Sequence, residues 1–164
     1  ALAREIPIFG VCLGHQLLAS ALGGVVGKSK QSEVGIMDIS LTKAGQTSDY
    51  FTRMPWVFPS LQWHSAEVRQ SPKGAAILAE SPVCMIQALG FGPHAFSTQF
   101  HLEIIDTTVD DWVSVPAYRE SLEKSLGKNE LDNFRTAAAN HIVNFQQYAR
   151  TLWDNWRKLT RDEG

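Results

Sequence analysis

The stretch Ile6-Pro7-Ile8-Phe9-Gly10-Val11-Cys12-Leu13-Gly14-His15-Gln16 is the key to the fold, because an apolar run ends on a glycine-flanked cysteine and an amphipathic segment begins at once. Residues 6–11 suit a buried parallel strand, and Leu17, Leu18, Ala21 and Leu22 recur at helical spacing. Cys12 therefore stands at a strand-to-helix joint, where Gly-x-Ser-x-Gly hydrolases carry their nucleophile. A side chain there protrudes at the carboxyl end of the sheet, and Gly10 and Gly14 permit close backbone approach. The helix start offers unpaired N–H groups and partial positive charge, which favour thiolate over thiol, and the Leu13 N–H is the natural oxyanion donor. At ~7% glycine usage, two such glycines flank a cysteine about once in 200. The pattern is therefore read as chemical rather than as an inert buried cysteine.

The 164 residues, 44% hydrophobic and 20% charged with a net charge of -2, describe an ordinary globular chain with one main domain and a sizeable core. Nothing in that charge balance supplies a basic stripe for nucleic acid, and no apolar run reaches the ~20 residues that span a bilayer. Neither nucleic acid nor a membrane is an expected partner. Two cysteines, one wanted as a free thiol, argue against a disulfide framework and for a reducing, cytoplasmic setting. No secretory leader is expected; residues 1–5 read as the end of a helix entering the strand, which predicts an N-terminally truncated domain.

Beyond the first helix, Gly23-Gly24 is a stop signal, and residues 25–28 and 35–42 read as strands. A short helix is expected over 46–54, before Pro55, and then a Pro-containing connection rich in aromatics, Trp56, Phe58 and Trp63. Residues 76–79, 83–89 and 95–100 read as strands separated by Ser-Pro and Gly-Phe-Gly-Pro signals. Helices are expected from about 109 to 125 and 133 to 158, with 162–164 a frayed end. The last helix carries Ile142, Phe145, Ala149, Leu152, Trp156 and Leu159 on one stripe. That stripe is expected to pack on the chain's own domain, with a homodimer or partner contact as the alternative. The expected fold is a three-layer α/β sandwich with a mainly parallel sheet: an α/β core over 1–105 and a helical C-terminal extension over 106–164.

A cysteine nucleophile needs a histidine base and a group that orients it. His101 follows the strand Phe96-Ser97-Thr98-Gln99-Phe100, and Glu103 lies two residues on, on the same side of an extended chain. A carboxylate there takes up Nδ1–H and fixes the tautomer. His64, in Gln62-Trp63-His64-Ser65-Ala66-Glu67, reads as either site-lining or an ordinary loop histidine. His15 is expected to buttress the elbow, His94 and His141 to be structural or surface groups, and Cys84 to be a small core hydrophobe. Cys12 and His15 lack the paired short spacings of a zinc site, and no Gly-rich nucleotide fingerprint occurs, so neither metal nor cofactor is expected.

Gly-Val-Cys-Leu-Gly-His-Gln at 10–16 with Gln-Phe-His-Leu-Glu at 99–103 resembles the class I glutamine amidotransferases. The likeness is greatest to their stand-alone members similar to the amidotransferase domain of GMP synthase, with Glu33-Val34-Gly35 and Gln62-Trp63-His64 at matching places. The resemblance implies a flavodoxin-like fold, Cys12 as nucleophile, His101 as base, Glu103 as its orienter and Leu13 as oxyanion donor. It further implies that Gln16, and in the loop His64 and Ser65, contact substrate. Three departures stand out. Leu102 replaces the proline of Phe-His-Pro-Glu, and His64-Ser65-Ala66 replaces His-Gly-Asp. No glycine precedes Gly10, so the glycine-rich loop that gives the family its second oxyanion N–H is expected to be missing. One such donor is worth about 100- to 1000-fold in turnover.

The implied activity is hydrolysis of the glutamine side-chain amide through a cysteine thioester, with ammonia passed to a synthetase in trans. A free-standing γ-glutamyl hydrolase using the same residues is the nearest alternative. A silent binding or regulatory protein, using the scaffold and the last helix as an interaction surface, is the alternative of another class.

Overall fold

A computed structural model of the chain describes residues 6–161. The expected helix end at 1–5 and frayed end at 162–164 lie outside the described residues. Among the described residues six strands form one sheet in the order β1-β6-β5-β4-β2-β3: β1 (Ile8–Val11), β2 (Val25–Leu41), β3 (Val57–Gln70), β4 (Ala76–Glu80), β5 (Ala88–Phe91) and β6 (Ala95–Thr98). The helices are α1 (Leu13–Ala21), α2 (Lys43–Gln46), α3 (Thr108–Val113), α4 (Pro116–Ser125) and α5 (Leu131–Arg161).

The α/β class holds, but the strand directions depart from the expected mainly parallel sheet. Only β1 and β6 pair in parallel, from Ile8↔Ala95 to Val11↔Thr98, and the other named strand pairs are antiparallel. The connections 81–87 and 92–94 join neighbouring strands and are too short for a parallel return, which needs a crossover of a dozen or more residues.

Two expected strands, 25–28 and 35–42, are one long β2, with a register irregularity between Lys28 and Glu33. The aromatic connection at 56–67 is instead largely β3, so His64 and Ser65 sit on a strand. Pro59 disguised it. Proline is tolerated in a strand at the sheet edge, and β3 is an edge strand. The short helix expected over 46–54 is divided into α2 and a 3-10 turn at Asp49–Phe51.

Strand alternation then sets two helical layers. Ala19 of α1 packs with Val68, Ile86 and Leu89 on one face. On the other, Phe58, Phe96 and Phe100 join Phe145 and Leu152 of α5 in the main core. The whole expected α5 stripe packs there, with Trp156 against Phe9 (5.8 Å) and Tyr148 against Phe58 (5.8 Å). Buried Asn155 anchors the same face, donating to the carbonyls of Tyr50 (3.0 Å) and Thr52 (2.8 Å).

The sheet also curls. Leu61, on edge strand β3, exchanges both backbone hydrogen bonds with His101, at 3.1 and 2.9 Å. The segment leaving β6 is thereby fixed from two directions. No helix among the described residues is long and apolar enough to cross a membrane.

Candidate active site

β1 delivers Cys12 to a turn that most residues avoid, with φ 49° and ψ -102°. Such backbone costs on the order of 1–3 kcal/mol and persists only where surrounding structure imposes it. Here the constraints are visible. The Cys12 N–H donates to the Thr98 carbonyl (2.8 Å), and α1 starts one residue later, close enough that a Cβ on Gly10 would lie 2.7 Å from the Gly14 carbonyl oxygen. His15, fully buried, braces α1 against β6 through Nδ1 and Ser97 Oγ (2.8 Å). Burial lowers its pKa to about 4, which keeps the ring neutral at neutral pH.

The segment after β6 presents alternate residues to this turn. Phe100 and Leu102 go into the core, while Gln99, His101 and Glu103 come from the other side of the extended chain. His101 Nδ1 lies 2.6 Å from Glu103 Oε1, and the ring also interacts with the Cys12 side chain. Burial pulls the imidazole pKa down, but its bonds to Cys12 and Glu103 outweigh burial and raise it to about 9. Burial likewise opposes the Glu103 charge, and the hydrogen bond from His101 overcomes it, leaving that carboxyl below its ordinary value. Trp112 of α3 closes over the imidazole edge-on, with ring centroids 4.8 Å apart.

Cys12, His101 and Glu103 are thus brought together as the sequence anticipated. Leu13 follows at the helix start with its side chain 64% exposed. Gln16 is near, yet its amide is already engaged: Nε2 donates to the Ala66 carbonyl (2.9 Å) and to Gln99 Oε1 (3.0 Å).

The two expected substrate contacts on the supposed loop are placed differently. His64 is buried, its Nδ1 3.0 Å from the Ala66 carbonyl and its Nε2 3.0 Å from Glu33 Oε2. Glu33 is itself 1% exposed and also accepts from Ser81 Oγ (2.6 Å) and Gln87 Nε2 (2.7 Å). His64 joins this buried polar cluster through that Nε2 contact, while Ser81 and Gln87 supply the donors that a carboxylate so deep requires. Ser65, one residue on along a strand, points the opposite way, to a groove of about 640 Å³ whose lining includes Lys28, Lys30 and Lys124. Cys84 is buried with its thiol pushed up to about 12 by burial, as a core hydrophobe should be. His141 stacks on Phe145, with ring centroids 5.6 Å apart.

Two features escaped the sequence argument. Gln99 Nε2 lies 3.5 Å from Cys12 Sγ, a contact signalled only by its place two residues before His101. The Leu102 N–H donates to Glu103 Oε2 at 3.0 Å, a bond that proline at that position cannot make.

Comparison with known proteins gives this geometry its relatives. The profile of the family described as "Glutamine amidotransferase class-I" matches residues 1–113. The glutamine-hydrolyzing GMP synthase subunit of Methanocaldococcus jannaschii is 36% identical over 108 residues, covering 65% of this chain and 56% of that protein. Its namesake from Thermococcus kodakarensis is 33% identical over 104 residues, covering 63% and 54%. The chain spans about half the length of the curated relatives it matches. Among solved structures, a glutamine amidotransferase from Thermotoga maritima superposes with a TM-score of 0.82 at 27% identity, over 98% of this chain and 65% of that one. The glutamine amido transferase from Methylobacillus flagellatus, at 24% identity and a TM-score of 0.79 over 97% and 65%, shares the fold. With the profile covering more than half of its residues, the chain belongs to the class-I glutamine amidotransferase family.

Proposed function

We propose that this chain hydrolyses the side-chain amide of glutamine, with Cys12 as nucleophile, His101 as acid and base, and Glu103 as the group that orients His101. The observation that carries it is His101 held between the Cys12 side chain and a Glu103 carboxylate 2.6 Å from Nδ1. With Nδ1 so occupied, Nε2 is the nitrogen that exchanges protons with the site.

The thiolate attacks the δ-carbonyl carbon, and the developing oxyanion takes the Leu13 N–H at the start of α1. His101 protonates the amide nitrogen, the C–N bond breaks, and ammonia leaves behind a γ-glutamyl thioester. Water then gives a proton to His101 as its oxygen attacks the thioester, and the C–S bond breaks to return the thiolate and glutamate. In the thiolate state the imidazolium beside it balances the charge, in keeping with the upward shift at His101. The GMP synthase names of the relatives support a synthetase in trans as recipient of the ammonia.

Ammonia release from glutamine is the test, run beside γ-glutamyl peptide cleavage and with Cys12→Ala as control. Cys12-dependent ammonia release from glutamine in excess of peptide cleavage is expected. Preferential cleavage of the peptides transfers the same residues to a γ-glutamyl hydrolase, and loss of neither activity in Cys12→Ala sinks both.

A further inference from the structure

A thiolate needs partners on more than one side, and His101 supplies one of them. Gln99 is placed to supply another. It is fully buried, with Nε2 3.5 Å from Cys12 Sγ. The direction of that contact follows from donors and acceptors traced from a backbone carbonyl. Because the Ala66 carbonyl only accepts, the Gln16 group 2.9 Å away is its NH₂. That NH₂ also lies 3.0 Å from the Gln99 amide, which must answer with its oxygen. The NH₂ of Gln99 is then the end left facing sulfur. The Gln99 backbone is held as well, its N–H donating to the Gln87 carbonyl (2.8 Å), while the Gln87 side chain grips buried Glu33 (2.7 Å).

We propose that Gln99 is a catalytic hydrogen-bond donor to the Cys12 sulfur, aimed by Gln16, which stabilises the thiolate and restrains Sγ at the turn. The inference rests on Cys12 being the nucleophile, and it gives Gln16 a positioning role, since both of its amide protons are used within the protein. The titratable groups around the sulfur are His101 and, behind it, Glu103; His15 on α1 turns its Nδ1 to Ser97.

Iodoacetamide labelling of the native protein from pH 4 to 9, read on the Cys12 peptide by mass spectrometry, tests it. Cys84 is buried and does not compete. In Gln99→Leu the labelling midpoint rises by about one pH unit and the rate at pH values well below the wild-type midpoint falls about tenfold, as loss of a hydrogen bond to a charged group requires. Gln99→Glu, which turns a carboxylate toward sulfur, raises the midpoint further. Gln16→Leu leaves Gln99 present but unaimed and gives a smaller rise. Midpoints equal to wild type in Gln99→Leu and Gln16→Leu overturn the inference; if circular dichroism shows Gln99→Leu unfolded, Gln16→Leu decides alone. Labelling needs no turnover, so shifted midpoints in a protein that releases no ammonia uphold the Gln99 donor while removing glutamine as substrate. Wild-type labelling only above the ordinary thiol value of ~8.5 overturns both the thiolate and its donor.

Discussion

Leu102 donates its backbone N–H to Glu103 Oε2 at 3.0 Å, while the other oxygen of that carboxylate takes His101 Nδ1 at 2.6 Å. Both carboxylate oxygens are thus held, one by the neighbouring backbone and one by the imidazole. A proline in place of Leu102 keeps the chain extended but removes the first of these bonds.

Leu102→Pro is therefore expected to raise the Glu103 pKa toward its ordinary value. The acid limb of the ammonia-release profile should move up by about half to one pH unit, consistent with one charge-assisted hydrogen bond. Leu102→Ala retains the N–H but empties a buried site, so it should cost about 2–5 kcal/mol in urea unfolding and leave that limb in place. Identical acid limbs for wild type and Leu102→Pro count against a role for the N–H.

A second expectation concerns stability against pH. The folded His101 pKa is raised from 6.5 to about 9, so its contribution is fully present below 6.5 and fades as pH rises through 9. Thermal melts of wild type should decline across that window more steeply than those of His101→Gln. Parallel slopes would show that the imidazole gains nothing from Cys12 and Glu103.

The elbow predicts an asymmetry between its two glycines. An added Cβ at Gly10 meets the Gly14 carbonyl oxygen at 2.7 Å, whereas one at Gly14 meets nothing within 4 Å. Gly10→Ala should destabilise by about 1–3 kcal/mol in urea unfolding, as overpacking does. Gly14→Ala lies in α1 and should be neutral or stabilising by up to about 1 kcal/mol. Equal effects at the two positions contradict the close approach of strand and helix.

Glu33 offers a test of the buried cluster. Glu33→Ala strips Ser81, Gln87 and His64 of a shared partner and should cost about 3 kcal/mol or more. Glu33→Gln retains the shape and should cost less. Denaturant unfolding of the two variants decides it, and a Glu33→Ala protein as stable as wild type rules the cluster out as a structural support.

The elbow and the His101–Glu103 pair were legible in the sequence because their determinants are local. An apolar strand, two glycines and a helical stripe fix residues 8–21, and a two-residue spacing puts His101 and Glu103 on one side of an extended chain. β3 was hidden by Pro59, whose meaning depends on whether the strand lies at an edge, a property of the whole sheet. The parallel direction expected for the sheet failed for a related reason: a buried apolar run looks the same in either direction.

The class of fold, the turn that strains Cys12 and the pairing of His101 with Glu103 are all written in the chain, since each follows from backbone preferences and spacings within a few residues. That Gln99 faces the sulfur, that Gln16 aims it, and that His64 is drawn into the Glu33 cluster, leaving Ser65 on a separate groove, emerges solely from three-dimensional packing. Those contacts join residues on different strands and helices. They form when the sheet curls until Leu61 meets His101, bringing buried donors and acceptors together where each must find a partner or lose its hydration uncompensated.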